Sequence, residues 1–226
     1  MSHQRAATSS VSIGFFVFLS ATVCAQTQIW TANYGNQRTN THTAESQLNR
    51  TNVSMDTFGK LGSFPVDGNI YAQPLAISGV NIGGSIYNAI FIATMHNSVY
   101  AIDADQPTRT VPLWQVNFGA SVSAEFLDCD DVWPEVGILS TPVVDLQSKT
   151  LYVVSDSFEE GAAVFRLHAL NLADGSEKAG SPVVITASAK GDGDGSDGTN
   201  IAFDPNQPET ERLRPGMSVE PKVRVR

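Results

Sequence analysis

The feature that most constrains the fold of this chain is a pair of similar strand-rich units that follow one another at a fixed distance. Each unit begins with a strand that carries a proline, Pro74 in the first unit and Pro142 in the second. These prolines are 68 residues apart, as are Ala101 and Ala169, which lie in matching apolar runs further along each unit. A fixed long period of short strands is typical of radially repeated sheets, the blades of a β-propeller. One blade cannot bury both faces of its sheet, so the two units are expected to belong to something larger.

Each unit is predicted to contain about four strands, with no amphipathic helix between them, which indicates an all-β fold rather than alternating βαβ units. The turn at Ala173, Asp174 and Gly175 is predicted to use the glycine for a positive φ. The strands are predicted at 70–77, 89–94, 98–102 and 113–118 in the first unit, and at 139–144, 150–154, 164–170 and 182–186 in the second.

The chain divides by composition into five parts. Residues 1–25 are interpreted as a signal peptide and 26–57 as a polar N-terminal segment in which 46–55 could form a helical turn. Two blade units follow at 58–119 and 120–189, and a Gly/Asp-rich loop with an irregular C-terminal tail occupies 190–226. The strand pattern stops after Asp204, and a ring of blades needs about four to eight of them. The sequence therefore favours a truncated, incomplete propeller; a piece that pairs with the remaining blades of another chain is the alternative.

The N-terminus has the pattern of an export signal. Arg5 precedes the short apolar run Ile13–Leu19, and Val23 and Ala25 stand at the −3 and −1 positions of a cleavage site after Ala25. An uncleaved anchor is disfavoured because the apolar run is short, and no later stretch is long and apolar enough to span a bilayer. We therefore expect a periplasmic or extracellular protein. Cleavage would leave Cys129 as the one cysteine, for which a buried thiol is the simplest interpretation.

The charge balance excludes one class of partner. The 226 residues carry a formal net charge of −9. Binding to a nucleic-acid backbone requires clustered Lys and Arg, which this chain lacks. An acidic balance of this kind favours solubility instead.

The repeated motif resembles a known family. In each unit an apolar strand is followed by an alanine, an aliphatic residue and then Asp103 or Asn171, whose side chain can accept hydrogen bonds from turn N–H groups. Trp114 follows in the first unit, where a large ring can pack between neighbouring blades. The matching residues are Val99, Tyr100, Ala101, Ile102, Asp103, Ala104, Leu113 and Trp114 in the first unit, and Leu167, Ala169, Leu170, Asn171 and Gly175 in the second. This pattern resembles the pyrroloquinoline-quinone-type β-propeller repeat of quinoprotein alcohol dehydrogenases, in their N-terminal portion.

The resemblance implies a quinone held over the central axis, with calcium, and a Glu shortly before the proline of the first inner strand. Tyr71 stands there instead, and it carries no carboxylate. Alcohol-oxidising members also carry two adjacent cysteines before the second inner strand, whereas Cys129 is followed by Asp130. The calcium ligands and the catalytic Asp of the family lie in later blades. We therefore expect no catalytic residues and a non-catalytic binding or scaffold module; the alternative is a fragment of a quinone-dependent dehydrogenase without its catalytic blades.

Two acidic stretches are candidate metal sites. Asp128, Asp130 and Asp131, with Glu135 close by, could bind a hard cation through oxygen ligands, or could form a solvated loop. The solvated loop is favoured because no ligand spacing is recognisable.

The second stretch, 190–198, contains Asp192, Asp194 and Asp197 and faintly resembles a calcium-binding loop. The pattern fails at the fifth and twelfth positions, which are Ser196 and Phe203. A flexible loop is favoured, and weak calcium binding is the alternative.

His96 and His168 lie beside or within repeat strands but at different places in the two units. Neither has a second histidine at ligand spacing. Both are predicted to be packed or hydrogen-bonded rather than metal-bound.

Overall fold

A computed structural model describes residues 28–43, 45, 48–192 and 196–206 of the chain, and the described part is built from short antiparallel strands. A five-stranded first sheet has the order β1-β2-β3-β4-β5, and a four-stranded second sheet has the order β11-β10-β9-β8. Two small ladders, β6 with β7 and β12 with β13, complete the strand pairing, and a single 3₁₀ turn lies at Ala32–Tyr34. The strands are β1 Gln28–Ile29, β2 Leu75–Ile82, β3 Ser85–Ala93, β4 Ser98–Asp103, β5 Trp114–Asn117, β6 Val122–Ser123, β7 Glu135–Val136, β8 Val143–Asp145, β9 Thr150–Glu159, β10 Ala162–Asn171, β11 Val183–Val184, β12 Ser188–Lys190 and β13 Asn200–Ala202. The all-β prediction is confirmed.

The two sheets repeat one ladder. In the first sheet Leu75 pairs with Phe91, which pairs with Ala101. In the second sheet Val143 pairs with Tyr152, which pairs with Ala169, so each triplet occupies the same place in its sheet. The 68-residue period also joins the sheets directly, because the backbone N–H of Gln73 donates to Thr141 Oγ1, 3.0 Å away and 68 residues later. One pair of matching residues therefore meets at the place where the two sheets begin.

The main core lies between the two sheets. Each sheet turns alternate side chains of its strands toward the other, because successive residues of a strand point to opposite faces. We call these two surfaces the packed faces. They carry Leu75, Phe91, Ala93, Val99 and Ala101 on the first sheet and Val144, Leu151, Val153, His168 and Leu170 on the second.

Trp114 joins the two packed faces, as its place in the repeat predicts. It lies on edge strand β5, packs against Phe91 with ring centroids 5.7 Å apart, and donates from Nε1 to the carbonyl of Leu172, 3.0 Å away. Gly175 has φ of +73°, and a Cβ atom there would lie 2.8 Å from the Trp114 ring. The predicted glycine turn is thus confirmed, and the close approach of Trp114 gives a second reason for glycine.

The polar residues that follow the apolar strands cap their turns, as expected. Asp103 Oδ1 accepts a hydrogen bond from the N–H of Asp105 at 3.0 Å. Asn171 Oδ1 accepts one from the N–H of Ala173 at 3.1 Å. The same local solution therefore recurs in both sheets.

A second, smaller core lies at one end of the sheets. Strands β9 and β10 continue past the main core to the turn at Glu160 and Gly161, and the bridge between Ser157 and Ser121 ties them to the connection that precedes β8. The apolar side chains beneath this tie form a cluster of Met95, Val122, Leu127, Val132, Val136 and Ala163. The cluster fixes the long connection from β5 to β8 against the second sheet.

Several predicted bounds were wrong. Strand β2 begins at Leu75 rather than at 70 and continues to Ile82, and β8 covers only Val143–Asp145. Strand β9 runs to Glu159 because its outer half pairs with β10 beyond the main core. The described residues within 46–55 form turns rather than a helix.

Other predictions fall on residues that the structure does not describe. The expected signal peptide lies outside the described residues, as does the tail from 207 onward. Within the described part, no helix is long and apolar enough to cross a membrane.

Candidate functional site

Three connections meet at the same end of the two sheets, and we call this the loop end. They are the segment 62–74 before β2, the turn 94–97 between β3 and β4, and the connection 118–142 between β5 and β8. The hydrogen bond from the N–H of Met95 to the carbonyl of Asn69, 2.8 Å long, joins the first two. The loop end therefore gathers side chains from distant parts of the chain.

An exposed histidine–carboxylate pair lies at the centre of the loop end. His96 Nδ1 is 3.0 Å from Glu135 Oε2 and 3.2 Å from Oε1. Glu135 lies on β7, which the pairing with β6 holds in place, and it also accepts a hydrogen bond from the Ser121 hydroxyl. The His96 side chain is about half exposed in this pair.

The carboxylate alters the charge of this histidine. The hydrogen bond that His96 donates to Glu135 raises the pKa of His96 above its ordinary value of 6.5, against an opposing effect of burial. The negative charge of Asp67 adds to the rise. His96 thus carries more positive charge near neutral pH than an isolated imidazole.

Asp67 binds together the segment before β2 and the start of β4. Its carboxylate accepts hydrogen bonds from the hydroxyls of Thr94 at 2.9 Å and Ser98 at 2.6 Å, and its backbone N–H donates to the Tyr100 hydroxyl at 3.2 Å. The following residue, Gly68, has φ of +61°, and a Cβ there would lie 2.9 Å from His96. The close approach that places Asp67 beside His96 therefore requires glycine.

Two further residues shape the loop end. Trp133 presents an indole ring that is 63% exposed, and its carbonyl accepts a hydrogen bond from Asn69 Nδ2 at 2.9 Å. Gly137 lies so close to the turn 94–97 that a Cβ would be 2.1 Å from the carbonyl oxygen of Met95. The surface thus combines a fixed polar pair with an exposed aromatic ring.

The second histidine lies in a different setting, between the sheets. His168 Nε2 is 2.9 Å from Ser155 Oγ, and its Nδ1 bonds to Glu177. Glu177 also accepts a hydrogen bond from the Ser181 hydroxyl, and Phe118 stacks on the imidazole with centroids 3.7 Å apart. These contacts confirm the prediction that both histidines are packed or hydrogen-bonded.

A serine, a histidine and a carboxylate in this order resemble a catalytic triad, but the setting opposes nucleophilic chemistry. Ser155 is fully buried and His168 is 3% exposed. Burial lowers the pKa of His168 despite the neighbouring carboxylate of Glu177. A substrate carbonyl cannot approach a serine hydroxyl that is enclosed between two packed sheets, so the arrangement is a buried hydrogen-bond network.

The candidate acidic loop is exposed. Asp128, Asp130 and Asp131 point to solvent, while the intervening Cys129 is half-buried as a free thiol against the smaller core. Across the described residues, no group of three or more His, Cys, Asp or Glu side chains is placed to hold a metal ion.

The described residues of the second acidic stretch lie at the end of β12 and just before β13. Asp197 Oδ1 accepts hydrogen bonds from the N–H groups of Thr199 at 2.9 Å and Asn200 at 2.7 Å. These backbone hydrogen bonds lower the pKa of Asp197. Asp192 is exposed, and Asp194 lies outside the described residues. Asp197 is therefore used as a turn cap between β12 and β13.

The position where the resemblance implies a quinone-binding Glu does not fit the cofactor. Tyr71 is about half-exposed just before β2. Its neighbour Gln73 is engaged in the structure, because Gln73 Oε1 accepts a hydrogen bond from the N–H of Asn33 at 2.9 Å. These side chains offer no carboxylate for the cofactor site, so no quinone chemistry is derived from them.

Sequence reasoning singled out His96 and His168 but missed their partners. Glu135 reaches His96 through the long connection between the sheets, and Ser155 and Glu177 reach His168 through strand pairing, which no local spacing reveals. Asp67 had a sequence signal, since an Asp-Gly pair shortly before an apolar strand marks an ordered turn.

No protein-family model matches this chain, and no curated protein matches it either.

Proposed function

We propose that this chain is an exported, non-catalytic binding or scaffold module built from propeller-type sheets, and that its loop end is the surface that binds a partner. The observation that carries the proposal is the exposed indole of Trp133 on a connection that also exposes Asp128, Asp130 and Asp131, and the His96–Glu135 pair fixes this connection against the turn 94–97. Export rests on the signal pattern of the sequence, and the quinoprotein type rests on the repeat motif.

The repeat supports a propeller-type arrangement of the sheets. Both sheets are antiparallel meanders with matching ladders, and their matching positions Gln73 and Thr141 meet. Propellers use such sheets around a central axis and bind ligands with the connections at one end. The loop end is where the connection from one sheet to the next passes.

A non-catalytic role is supported by the use of the reactive groups. Both ring nitrogens of His168 and the hydroxyl of Ser155 are engaged inside the protein. At the loop end His96 has a carboxylate partner, and the one free thiol described there, Cys129, is half-buried against the smaller core. Such a surface recognises a partner rather than transforming it.

The charge around the pair suggests the kind of partner. Asp128, Asp130 and Asp131 are exposed on the same connection that supplies Glu135 and Trp133. An acidic surface with an exposed indole favours basic groups, which bind through charge pairing and through contact with the aromatic face. A basic peptide segment is therefore the partner class that this surface suits best.

A titration with a Lys/Arg-rich peptide at low ionic strength tests this function. Binding should weaken about tenfold in the double variant Asp130→Asn, Asp131→Asn and should weaken again at high salt. The matched control is Asp145→Asn, Asp174→Asn, which removes two charges at the opposite end of the second sheet, where both residues cap turns. Equal weakening in both double variants would mean that net charge alone attracts the peptide, and the proposed surface would be wrong.

The dehydrogenase alternative has its own test. Pyrroloquinoline quinone with calcium should cause no visible-spectrum change and no shift in the melting temperature of the purified chain. A saturable shift would support cofactor binding and would contradict the non-catalytic assignment.

A further inference from the structure

The three tryptophans of the chain have different surroundings. Trp114 is 8% exposed and joins the two sheets, and Trp30 packs against the main core. Trp133, on the connection between β5 and β8, is 63% exposed. It takes part in none of the ring pairs that the described residues form. The faces of its indole are therefore available to a partner.

The backbone around Trp133 is held in place although the ring is exposed. Its carbonyl accepts a hydrogen bond from Asn69 Nδ2 at 2.9 Å, and the carbonyl of Pro134 accepts one from the N–H of Ala124 at 3.1 Å. The preceding residue, Val132, is buried in the smaller core. The indole is thus presented to solvent from a fixed backbone.

Glu135 anchors the same segment on the other side of Trp133. It pairs with Ser123 in the short ladder of β6 and β7, and its carboxylate accepts hydrogen bonds from the Ser121 hydroxyl and from His96 Nδ1. A partner that binds the indole therefore has little of this connection to order, so little conformational entropy is lost on binding. Exposed aromatic rings on rigid segments are frequent anchors of binding surfaces.

The two basic side chains of proteins differ in how they bind an aromatic face. The guanidinium of arginine is planar and weakly hydrated, so it stacks on a ring while the N–H groups at its edges remain free to donate. The ammonium of lysine is compact and strongly hydrated, and it must give up more of its hydration to reach the ring. Tryptophan offers the best ring for such a contact. An accessible indole therefore favours arginine over lysine.

We propose that Trp133 gives the loop end a preference for arginine over lysine in its basic partner. A guanidinium of the partner stacks on the indole, and its N–H edges donate to the exposed carboxylates of Asp130 and Asp131 on the same connection. The carboxylates attract either basic side chain, whereas the ring distinguishes between them. This preference rests on the proposed binding of a basic peptide at the loop end and adds the side chain that is recognised there.

Two peptides of equal length and charge test the preference. One carries arginine and the other lysine at every basic position, and neither contains an aromatic residue. Isothermal titration calorimetry of the full chain at low ionic strength should show that the arginine peptide binds about 2- to 5-fold more tightly. Saturating arginine peptide should also reduce the quenching of Trp133 fluorescence by acrylamide, because the stacked guanidinium covers one face of the ring.

Substitutions separate the effect of the ring from that of the carboxylates. Trp133→Leu keeps an apolar side chain without a π face, so the two peptides should bind with nearly equal affinity, whereas Trp133→Tyr should keep part of the preference. The double variant Asp130→Asn, Asp131→Asn should weaken both peptides and leave the ratio of their affinities unchanged. Phe126→Leu is the matched control, because Phe126 is 46% exposed on the same connection but packs edge-to-face against Phe158. It should not change the ratio.

Three results would overturn the arginine preference and leave the peptide-binding function standing. They are equal affinities of the unaltered chain for the two peptides, an arginine preference that persists in Trp133→Leu, and acrylamide quenching of Trp133 that does not change at saturating arginine peptide. The first and third results need no variant, so they decide the question even if Trp133→Leu is unstable. Binding of neither peptide would instead overturn the proposed function, and the preference with it.

Discussion

The two sheets share a ladder but differ in which hairpin is long. In the first sheet the β2–β3 hairpin extends to Gly83 and Gly84, away from the loop end. In the second sheet the β9–β10 hairpin extends to Glu160 and Gly161 at the loop end, where it completes the smaller core. The central pairs of each sheet therefore define the repeat, while the hairpin tips differ in length and in what they contact.

The sheets also differ in what fills one matching position. Tyr100 in the first sheet corresponds to His168 in the second, since Ile92 pairs with the one and Val153 with the other. Each ring packs on a phenylalanine from the segment that precedes its sheet, and each directs a polar atom to a hydrogen-bond partner. The position therefore requires an aromatic ring with a polar tip rather than one particular residue.

The largest expected effect is a difference in the free energy of unfolding between substitutions at matching residues of the two sheets. Phe91→Ala should lower the free energy of unfolding by about 3–5 kcal/mol, because Phe91 is a fully enclosed side chain of the main core. Tyr152→Ala at the same ladder position should cost about 1 kcal/mol or less, because its side chain is partly exposed. Urea unfolding of the two variants measures both losses. Equal losses would contradict the difference in coverage.

A smaller difference in stability is expected between substitutions at matching residues that precede the two sheets. Gly137→Ala should cost about 3 kcal/mol, because the new methyl group would overlap the Met95 carbonyl and one of the two backbones must move. Asn69, which stands 68 residues earlier at the matching place, should tolerate alanine at a cost of about 1 kcal/mol, since it loses one exposed hydrogen bond. Thermal melting of the two variants separates these cases. A harmless Gly137→Ala would show that the turn 94–97 can move away.

The contact between the sheets can be weakened at one hydrogen bond. Trp114→Phe keeps most of the ring but removes the N–H that donates to the Leu172 carbonyl, so the expected loss is about 1–2 kcal/mol. Trp133→Phe is the matched control, because that ring is exposed, and it should change the free energy of unfolding by less than about 0.5 kcal/mol. Urea unfolding compares them, and a smaller loss for Trp114→Phe than for Trp133→Phe would contradict the joining role of Trp114.

The smallest effect is a difference in pH dependence between the two histidines. The pKa of His168 is lowered by folding, so the unfolded chain binds more protons, and the free energy of unfolding falls as the pH drops from about 6.5 toward the folded value. The slope from one such group is at most about 1.4 kcal/mol per pH unit. We call this fall in the free energy of unfolding at acid pH the acid limb. It should become shallower in His168→Gln, as measured by urea unfolding at several pH values.

His96 provides the opposite control. Its pKa is raised by folding, so its contribution is present below pH 6.5 and is lost as the pH rises through the folded value. His96→Gln should therefore leave the acid limb in place. If the acid limb is unchanged in His168→Gln, the pH dependence is due to other groups.

Features that depend on local sequence pattern were predicted correctly, whereas contacts between residues of distant strands were not predicted. The period located matching positions, and the roles of Trp114, Gly175 and Asn171 followed from ring size, positive φ and turn capping. The contact of Ser155 with His168 could not be predicted, because it depends on the register of β9 and β10 in a region that the period does not cover. Glu135 reaches His96 from 39 residues away, and only the packing of the connection between the sheets brings them together.

The irregularity in β2 has a consequence for how such a repeat can change length. Antiparallel hairpins grow by paired residues, one on each strand, so a change by an odd number turns every following side chain to the opposite face. In β2 the register shifts between Ile77 and Val80, a bulge that includes Gly79 at φ of +73°. The extra residue lets Leu75 and Ile77 share a face with Val80 and Ile82, which all lie in the core. The bulge thus absorbs one extra residue without changing which face the following side chains occupy, and deletion of Gly79 would restore regular pairing with Val80 and Ile82 still directed to the core.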